Sequence, residues 1–209
     1  MAIPRLLRVF YHWLYHPFAW VYDFVAAVVS LGRWNEWIMT VMPLIEGTRV
    51  LELGHGPGHL QRRLLDLGLF AVGLDESPQM SRLAARRLRR SGETRVNLTR
   101  ALAQSLPFLE ETFDTVVSTF PSEYIFDART LSEAKRVLHN GGRFIVLPVA
   151  WPKNRFLSWL YRVTGESPSD AVEVVKQKIS EPVFEAGFTV RTEVVEVKSS
   201  VLLVIVAEK

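Results

Sequence analysis

The chain has 209 residues, of which 48% are apolar, and this is enough for one domain with a full-sized core. Its formal net charge is only +3, from 25 basic and 22 acidic side chains, so overall charge predicts no nucleic-acid partner. Cysteine is absent, which excludes a disulfide framework, a thiolate metal site and a cysteine nucleophile.

The segment of residues 1–47 is rich in aromatic side chains and precedes the first predicted strand. Residues 9–32 contain one formal charge, Asp23, over about the length of a membrane-spanning helix. A carboxylate at the bilayer centre costs roughly 2.5–3.5 kcal/mol, so we predict that this stretch does not span a membrane. It also lacks a clear small-residue cleavage site, so a signal peptide is not expected.

Apolar positions between residues 10 and 28 follow helical spacing, which predicts a helical extension over residues 1–47. Residues 48–209 then form the main domain. Three roles for the extension are compatible with its composition. It can pack on the core, it can form a lid over an apolar acceptor, or it can lie on a membrane surface with Arg5 and Arg8 near lipid head groups.

From residue 48 onward, short β-branched runs alternate with helical patterns, which predicts βαβ units and a mostly parallel sheet. Two later runs, separated by a Lys-Ser-Ser turn, predict a closing antiparallel pair. The fold class is therefore α/β, a doubly wound and mostly parallel sheet of seven strands. The predicted strands are residues 50–53, 70–74, 95–99, 113–118, 144–147, 190–197 and 201–207.

The helices between these strands have recognisable ends. Leucines at helical spacing from Leu60 predict a helix that stops at Gly68. Ser77 and Pro78 predict the cap and first residue of a second helix, which runs to about Arg90.

Further helices are predicted at residues 130–138, before an Asn-Gly-Gly turn at 140–142, and from Ser167 to about Gly187. Residues 148–166 are expected to lie outside the regular core.

Three glycines, Gly54, Gly56 and Gly58, follow the first strand and open the next helix. Such a turn lets a ligand approach backbone N–H groups at a helix N-terminus. A dinucleotide pattern would place another glycine at position 59, where this chain has His59. The spacing therefore favours a smaller anionic group, such as an amino-acid carboxylate. The alternative is that the glycines only form a tight turn between strand and helix and bind no ligand.

Asp75 lies 21 residues after Gly54, at the predicted end of the second strand. A carboxylate at this position can accept hydrogen bonds from both hydroxyls of a ribose. The alternative is a helix-terminus charge beside the Ser77 cap.

Residues 50–58, VLELGHGPG, resemble the first motif of class I S-adenosylmethionine-dependent methyltransferases, in the broad group with ubiquinone and menaquinone C-methyltransferases. Residues 106–108 with 113–117 resemble the second motif, and residues 136–142, RVLHNGG, resemble its RVLKPGG turn. The resemblance implies the Rossmann-like methyltransferase fold. It also implies S-adenosylmethionine as cofactor, S-adenosylhomocysteine as product, and direct in-line methyl transfer.

The resemblance also assigns roles within the site. Glu52 would orient the methionine end of the cofactor, Asp75 would hold the ribose, and Met80 would pack on adenine. Leu102 departs from the family, which usually has Asp there, so the adenine contact passes to Gln104 or to backbone near Ala103. The candidate cofactor-binding residues are Glu52, Gly54, His55, Gly56, Gly58, Asp75, Glu76, Met80, Ala103, Gln104, Tyr22 and Arg33.

No catalytic dyad is evident, and the family chemistry needs none because positioning supplies much of the acceleration. We expect a small, apolar or lipid-like acceptor that enters between residues 1–47, acting as a lid, and residues 151–163. Peripheral membrane contact through residues 1–30 is an alternative for a protein expected in the cytoplasm.

Other function classes receive less support. A nicotinamide-dependent oxidoreductase is disfavoured by His59, and a catalytically silent or membrane-associated cofactor-binding module is suggested only by Leu102 and the N-terminal segment. The arginines after Asp75 favour a solvated helix face over an RNA or anionic-lipid patch. The histidines show no metal-binding pattern.

Overall fold

The computed structural model describes residues 33–93, 96–152, 176, 179–198 and 200–209, with only the backbone at 151–152. The strands are β1 (Arg49–Leu53), β2 (Phe70–Leu74), β3 (Leu98–Thr99), β4 (Phe113–Thr119), β5 (Leu138–Pro152), β6 (Thr189–Val197) and β7 (Ser200–Glu208). The helices are α1 (Trp34–Ile38), α2 (His59–Asp66), α3 (Pro78–Arg90) and α4 (Ala128–Val137), with 3₁₀ helices at Met39–Leu44 and Glu123–Phe126.

The strands of the described residues form one seven-stranded sheet in the order β3-β2-β1-β4-β5-β7-β6. The first five strands in this order pair in parallel, and β7 pairs antiparallel with both β5 and β6. The predicted fold class is confirmed. Strand order reverses between β1 and β4, and such a switch point opens a crevice at the carboxyl ends of the strands.

The ends of α2 and α3 follow from local sequence, as predicted. Gly68, just beyond α2, has a φ of +76°, a conformation that glycine adopts without strain. Pro78 is the first residue of α3, and the Ser77 hydroxyl accepts a hydrogen bond from the Met80 amide at 3.3 Å.

The fifth strand is longer than predicted. Sequence patterning limited it to residues 144–147 and put 148–166 outside the core, yet residues 149–152 pair with β7. The prediction was wrong for this part because β7 supplies hydrogen-bond partners along the whole edge. Pro148 has no N–H to donate, and the register with β7 shifts between Val146 and Val149.

The predicted Asn-Gly-Gly turn lies within β5 as an irregularity. Pairing with β4 shifts between Phe113 and Thr115, and Gly141 there has a φ of +78°. The third strand is shorter than predicted, at Leu98–Thr99, and residues 94–95 lie outside the described residues. The predicted start of the helix at Ser167 also lies outside them, whereas residues 179–185 are helical and end before Gly187, as expected.

Apolar side chains cover both faces of the sheet. One cluster joins the sheet to α4 and includes Phe113, Phe144 and Phe188. The other contains Trp37 and Val41, which belong to the predicted extension and are 3% and 0% exposed. The described part of that extension, residues 33–47, therefore packs on the core, and residues 1–32 lie outside the described residues.

An ion pair on α4 holds the loop that precedes β4. Arg136 donates hydrogen bonds to the carbonyls of Leu106 and Phe108 at 3.1 and 2.9 Å, and pairs with Glu133 at 2.7 Å. Glu133 in turn accepts from the Leu106 amide at 2.7 Å. These bonds lower the pKa of Glu133, and the hydrogen bond from Arg136 makes the largest contribution. The RVLHNGG motif thus has a structural role.

We predict that Arg136→Met lowers the free energy of unfolding by roughly 1–3 kcal/mol, because two carbonyls and the Glu133 carboxylate lose their partner. The matched control is Arg129→Met on the same helix, whose side chain is 80% exposed. Urea unfolding measures both. Equal losses would contradict a specific role for the Arg136 bonds.

Candidate functional site

The turn of residues 54–58 lies at the carboxyl end of β1, next to the end of β2. The amides of Gly54 and His55 both donate to the Leu74 carbonyl, at 2.7 and 3.2 Å. The Gly58 amide closes the turn onto the His55 carbonyl at 3.0 Å. The turn is therefore fixed to the neighbouring strand before α2 begins.

The three glycines of the turn all have positive φ but different surroundings. A Cβ on Gly54 would lie 2.5 Å from the Tyr124 hydroxyl oxygen, and one on Gly58 would lie 2.9 Å from the Ala84 Cβ on α3. A Cβ on Gly56 would meet no described atom within 4 Å. Gly58 is therefore required for helix packing, whereas Gly56 faces open space in which a ligand can approach.

Asp75 connects the turn to the start of α3. One carboxylate oxygen accepts from the Gly56 amide at 2.9 Å, and the other accepts from the Ser77 amide at 2.9 Å. Each oxygen keeps a further lone pair, so the carboxylate can still accept from a diol. The structure therefore brings two of the predicted site residues, Gly56 and Asp75, together.

Glu52 is buried at the end of β1, with 2% of its surface exposed. Burial, and to a smaller extent the negative charge of Asp75, raises the pKa of Glu52 to about 8, and hydrogen bonding to Gln61 opposes this. Among the described residues, one of its oxygens, Oε2, has no hydrogen-bond partner. A buried acceptor without a partner is costly, and a cationic or hydrogen-bonding ligand would remove that cost.

His55 is also buried, with 2% exposed, on the inner side of the turn. Its Nδ1 lies 2.8 Å from the Gly56 carbonyl, which requires a proton on Nδ1. Its ring carbon Cδ2 would lie 3.0 Å from a Cβ on Gly73 of β2. Burial lowers the pKa of His55, and the negative charge of Asp75 opposes this. Among the described residues, Nε2 has no hydrogen-bond partner.

The remaining predicted site residues differ in exposure. Met80 and Ala103 are buried, at 2% and 5%, Gln104 is half-buried, and Leu102 is 53% exposed. Glu76 is exposed, and its carbonyl accepts from Arg100 at 3.0 Å. Arg33 is exposed and directly precedes α1. Tyr22 lies outside the described residues, and the roles of both Tyr22 and Arg33 stay predictions.

Sequence reasoning missed two residues that the fold brings to this site. Gln61 is 1% exposed on α2, donates to the Val72 carbonyl at 3.3 Å, and interacts with Glu52. Tyr124 follows β4 and reaches Gly54. The position of Tyr124 in the sequence could have indicated this role. Tyr124 follows β4, which lies next to β1 at the switch point of the sheet.

An aromatic cluster, Trp34, Trp37 and Phe120, lies at the carboxyl end of β4. The ring centroids of Trp34 and Phe120 are 4.4 Å apart, and those of Trp37 and Phe120 are 6.0 Å apart. Phe120 has a φ of +50°, which is uncommon for a residue with a side chain. Backbone strain of this kind is typical of functional sites.

The described ranges contain no cluster of three or more His, Cys, Asp or Glu side chains able to hold a metal ion. In the same part of the chain, no helix has both the length and the apolar character needed to cross a membrane.

The sequence around the glycine turn and Asp75 is similar to that of known proteins. Residues 51–146 match the model of a methyltransferase domain. The chain is 30% identical over 156 residues to the ubiquinone/menaquinone biosynthesis C-methyltransferase UbiE of Blochmanniella floridana, covering 71% of this chain and 61% of that protein. The chain spans about three fifths of the length of the curated relatives that it matches.

Solved structures share the fold. A S-adenosylmethionine-dependent methyltransferase of Thermotoga maritima has a TM-score of 0.58 at 21% identity, covering 93% of this chain and 99% of the other. A phosphoethanolamine N-methyltransferase of Haemonchus contortus, in complex with phosphomonomethylethanolamine and S-adenosylhomocysteine, has a TM-score of 0.61 at 16% identity, covering 85% and 53%.

The raised pKa of Glu52 predicts a pH dependence of stability. A carboxyl that holds its proton more tightly when folded stabilises fully below its ordinary pKa near 4.5, and this contribution is lost as pH rises through about 8. Relative to Glu52→Gln, the wild type should lose stability with a slope approaching about 1.4 kcal/mol per pH unit between those values.

Urea unfolding at several pH values measures the slope. Glu123→Gln, on an exposed side chain, is the control and should follow the wild type. A constant difference between the wild type and Glu52→Gln across this range would contradict the raised pKa.

Proposed function

The chain belongs to the class I S-adenosylmethionine-dependent methyltransferases, and on that premise we propose that it methylates an apolar, quinone-like acceptor. The observation that carries the proposal is the Asp75 carboxylate, bonded to the Gly56 amide at the switch point of the sheet. This arrangement suits a ligand that has both a ribose diol and a charged amino-acid end.

The residues present fit S-adenosylmethionine in three respects. The space at Gly56 is open, so backbone can meet the ligand. The first turn of α2 has no side-chain cap, which leaves N–H groups for a carboxylate. The buried Glu52 oxygen without a partner suits an ammonium group.

We assign the cofactor contacts accordingly. Asp75 would hold the ribose hydroxyls, and Glu52 with the N-terminus of α2 would hold the methionine end. Backbone at Ala103, with Gln104 and Met80, would receive adenine, because Leu102 offers no acceptor. His55 would act from beneath the turn by holding the Gly56 carbonyl, rather than by lining the cofactor.

When bound, the cofactor supplies an electrophilic methyl group on a sulfonium. The residues of this chain bind and orient it, and they exclude water from the crevice. Holding two reactants in line supplies a large part of the acceleration, so the protein needs no dedicated base when the acceptor is already nucleophilic. We therefore assign no catalytic residue.

The acceptor class is inferred from the aromatic cluster and from the names of relatives. Trp34 and Phe120 offer aromatic faces at the carboxyl end of β4, where ligands of open parallel sheets bind. The relatives are named as quinone C-methyltransferases, and a quinone precursor is apolar and planar. Of the lid expected over residues 1–47 and 151–163, residues 33–47 pack on the core and 151–152 belong to β5, so we propose that the remaining residues complete this pocket.

We predict that S-adenosylhomocysteine binds and raises the melting temperature. Asp75→Ala should weaken binding by at least tenfold, because charge-assisted bonds to the ribose are lost, whereas Leu102→Ala should change it less than threefold. Calorimetry measures affinity, and circular dichroism checks that each variant is folded. No binding by the folded wild type would refute the cofactor assignment.

We also predict that the full-length protein methylates a demethylated prenylhydroquinone in detergent, detected with labelled cofactor, in preference to phosphoethanolamine. Phe120→Ala should lower kcat/KM for the quinol by roughly tenfold, within the range that one buried aromatic contact supplies, and leave S-adenosylhomocysteine affinity unchanged. Phe184→Ala is the control, since Phe184 is 68% exposed on another surface. Preferential methylation of the amine would refute the acceptor class.

A further inference from the structure

The helices α2 and α3 concentrate positive charge. They contain seven arginines and one aspartate, a net charge of +6, compared with +3 for the whole chain. The remaining residues are therefore net acidic. The residues concerned are Arg62, Arg63, Arg82, Arg86, Arg87, Arg89, Arg90 and Asp66. Such separation of charge creates a local positive potential that overall charge does not reveal.

A cavity of about 380 Å³ lies between these helices. None of the described residues that line it is acidic, and four of the six are arginines. They are Arg62, Leu83, Arg86, Arg87, Arg90 and Ser91, which we call the arginine groove. Arg62 pairs with Asp66 at 3.9 Å beside the groove. Guanidinium groups bind phosphate oxygens in pairs, so four arginines that line one cavity suit a phosphate-bearing ligand.

We propose that the arginine groove binds the phosphate groups of an anionic phospholipid surface. Arg63, Arg82 and Arg89 are exposed on the same two helices but outside the groove. A single soluble phosphate in the groove would not account for them, whereas a bilayer presents many phosphates at once. The inference rests on the proposed function, because an apolar acceptor partitions into bilayers.

The composition of the two helices argues against single-stranded RNA as the partner. Proteins that bind unpaired bases usually stack them on Phe, Tyr or Trp rings, and α2 and α3 contain none of these, so the two helices offer bases only His59 and guanidinium planes. Arg87 also connects the groove to the cofactor turn, because its guanidinium donates to the Pro57 carbonyl. A membrane bound at the groove would therefore lie close to the crevice.

The test is co-sedimentation of the full-length protein with vesicles of phosphatidylcholine alone or with about one quarter phosphatidylglycerol. We expect binding only to the anionic vesicles, and weaker binding as salt rises. Arg86→Gln/Arg90→Gln should lower the partition coefficient roughly 25-fold, because each basic residue near such a surface contributes about fivefold.

The matched control is Arg129→Gln/Arg191→Gln, which removes the same charge from exposed residues on α4 and β6. Equal losses in the two double variants would overturn the proposal, because net charge alone would explain binding. Stabilisation by inorganic phosphate without vesicle binding would overturn it in favour of a soluble anion. Tighter, groove-dependent binding to a short RNA than to vesicles would overturn it in favour of nucleic acid.

A second readout separates this inference from the proposed function. S-adenosylhomocysteine affinity should be the same in the wild type and in Arg86→Gln/Arg90→Gln. If the protein binds cofactor but no vesicles, the proposed role of the arginine groove is refuted and the proposed function is not. Groove-dependent vesicle binding without any cofactor binding refutes the proposed function and leaves the groove supported.

Discussion

One carboxylate organises the candidate site. Asp75 accepts from the backbone amides of Gly56 and Ser77, and so joins the two loops that follow the adjacent strands β1 and β2. The N-termini of α2 and α3 are held in place by the same side chain. Because the residue proposed to bind ribose already fixes the surrounding backbone, the site is organised before a ligand arrives, which reduces the entropy lost on binding.

The polar groups beneath the turn carry an energetic cost. Glu52 and His55 are buried, and each keeps one polar atom without a hydrogen-bond partner among the described residues. Buried polar groups of this kind destabilise a fold unless something satisfies them. Proteins commonly accept such a cost where a ligand binds, so the same groups that weaken the isolated protein support the proposed cofactor contacts.

The proposed acceptor and the proposed membrane contact agree in their chemistry. The aromatic cluster includes Phe120, which directly follows β4, whereas the arginine groove is joined to the glycine turn by the hydrogen bond from Arg87 to the Pro57 carbonyl. An apolar acceptor held in a bilayer would need an enzyme able to rest on charged head groups.

Local sequence determined much of this protein. β2 spans residues 70–74 as predicted and α3 begins at its Ser77 cap, because these features depend on short-range backbone preferences. Tertiary structure decided the rest. The extent of β5 depends on hydrogen bonds to β7, and Tyr124 reaches Gly54 from 70 residues away in the chain. Periodicity and capping describe contacts between near neighbours, so contacts between distant segments appeared only when the sheet brought its strands together.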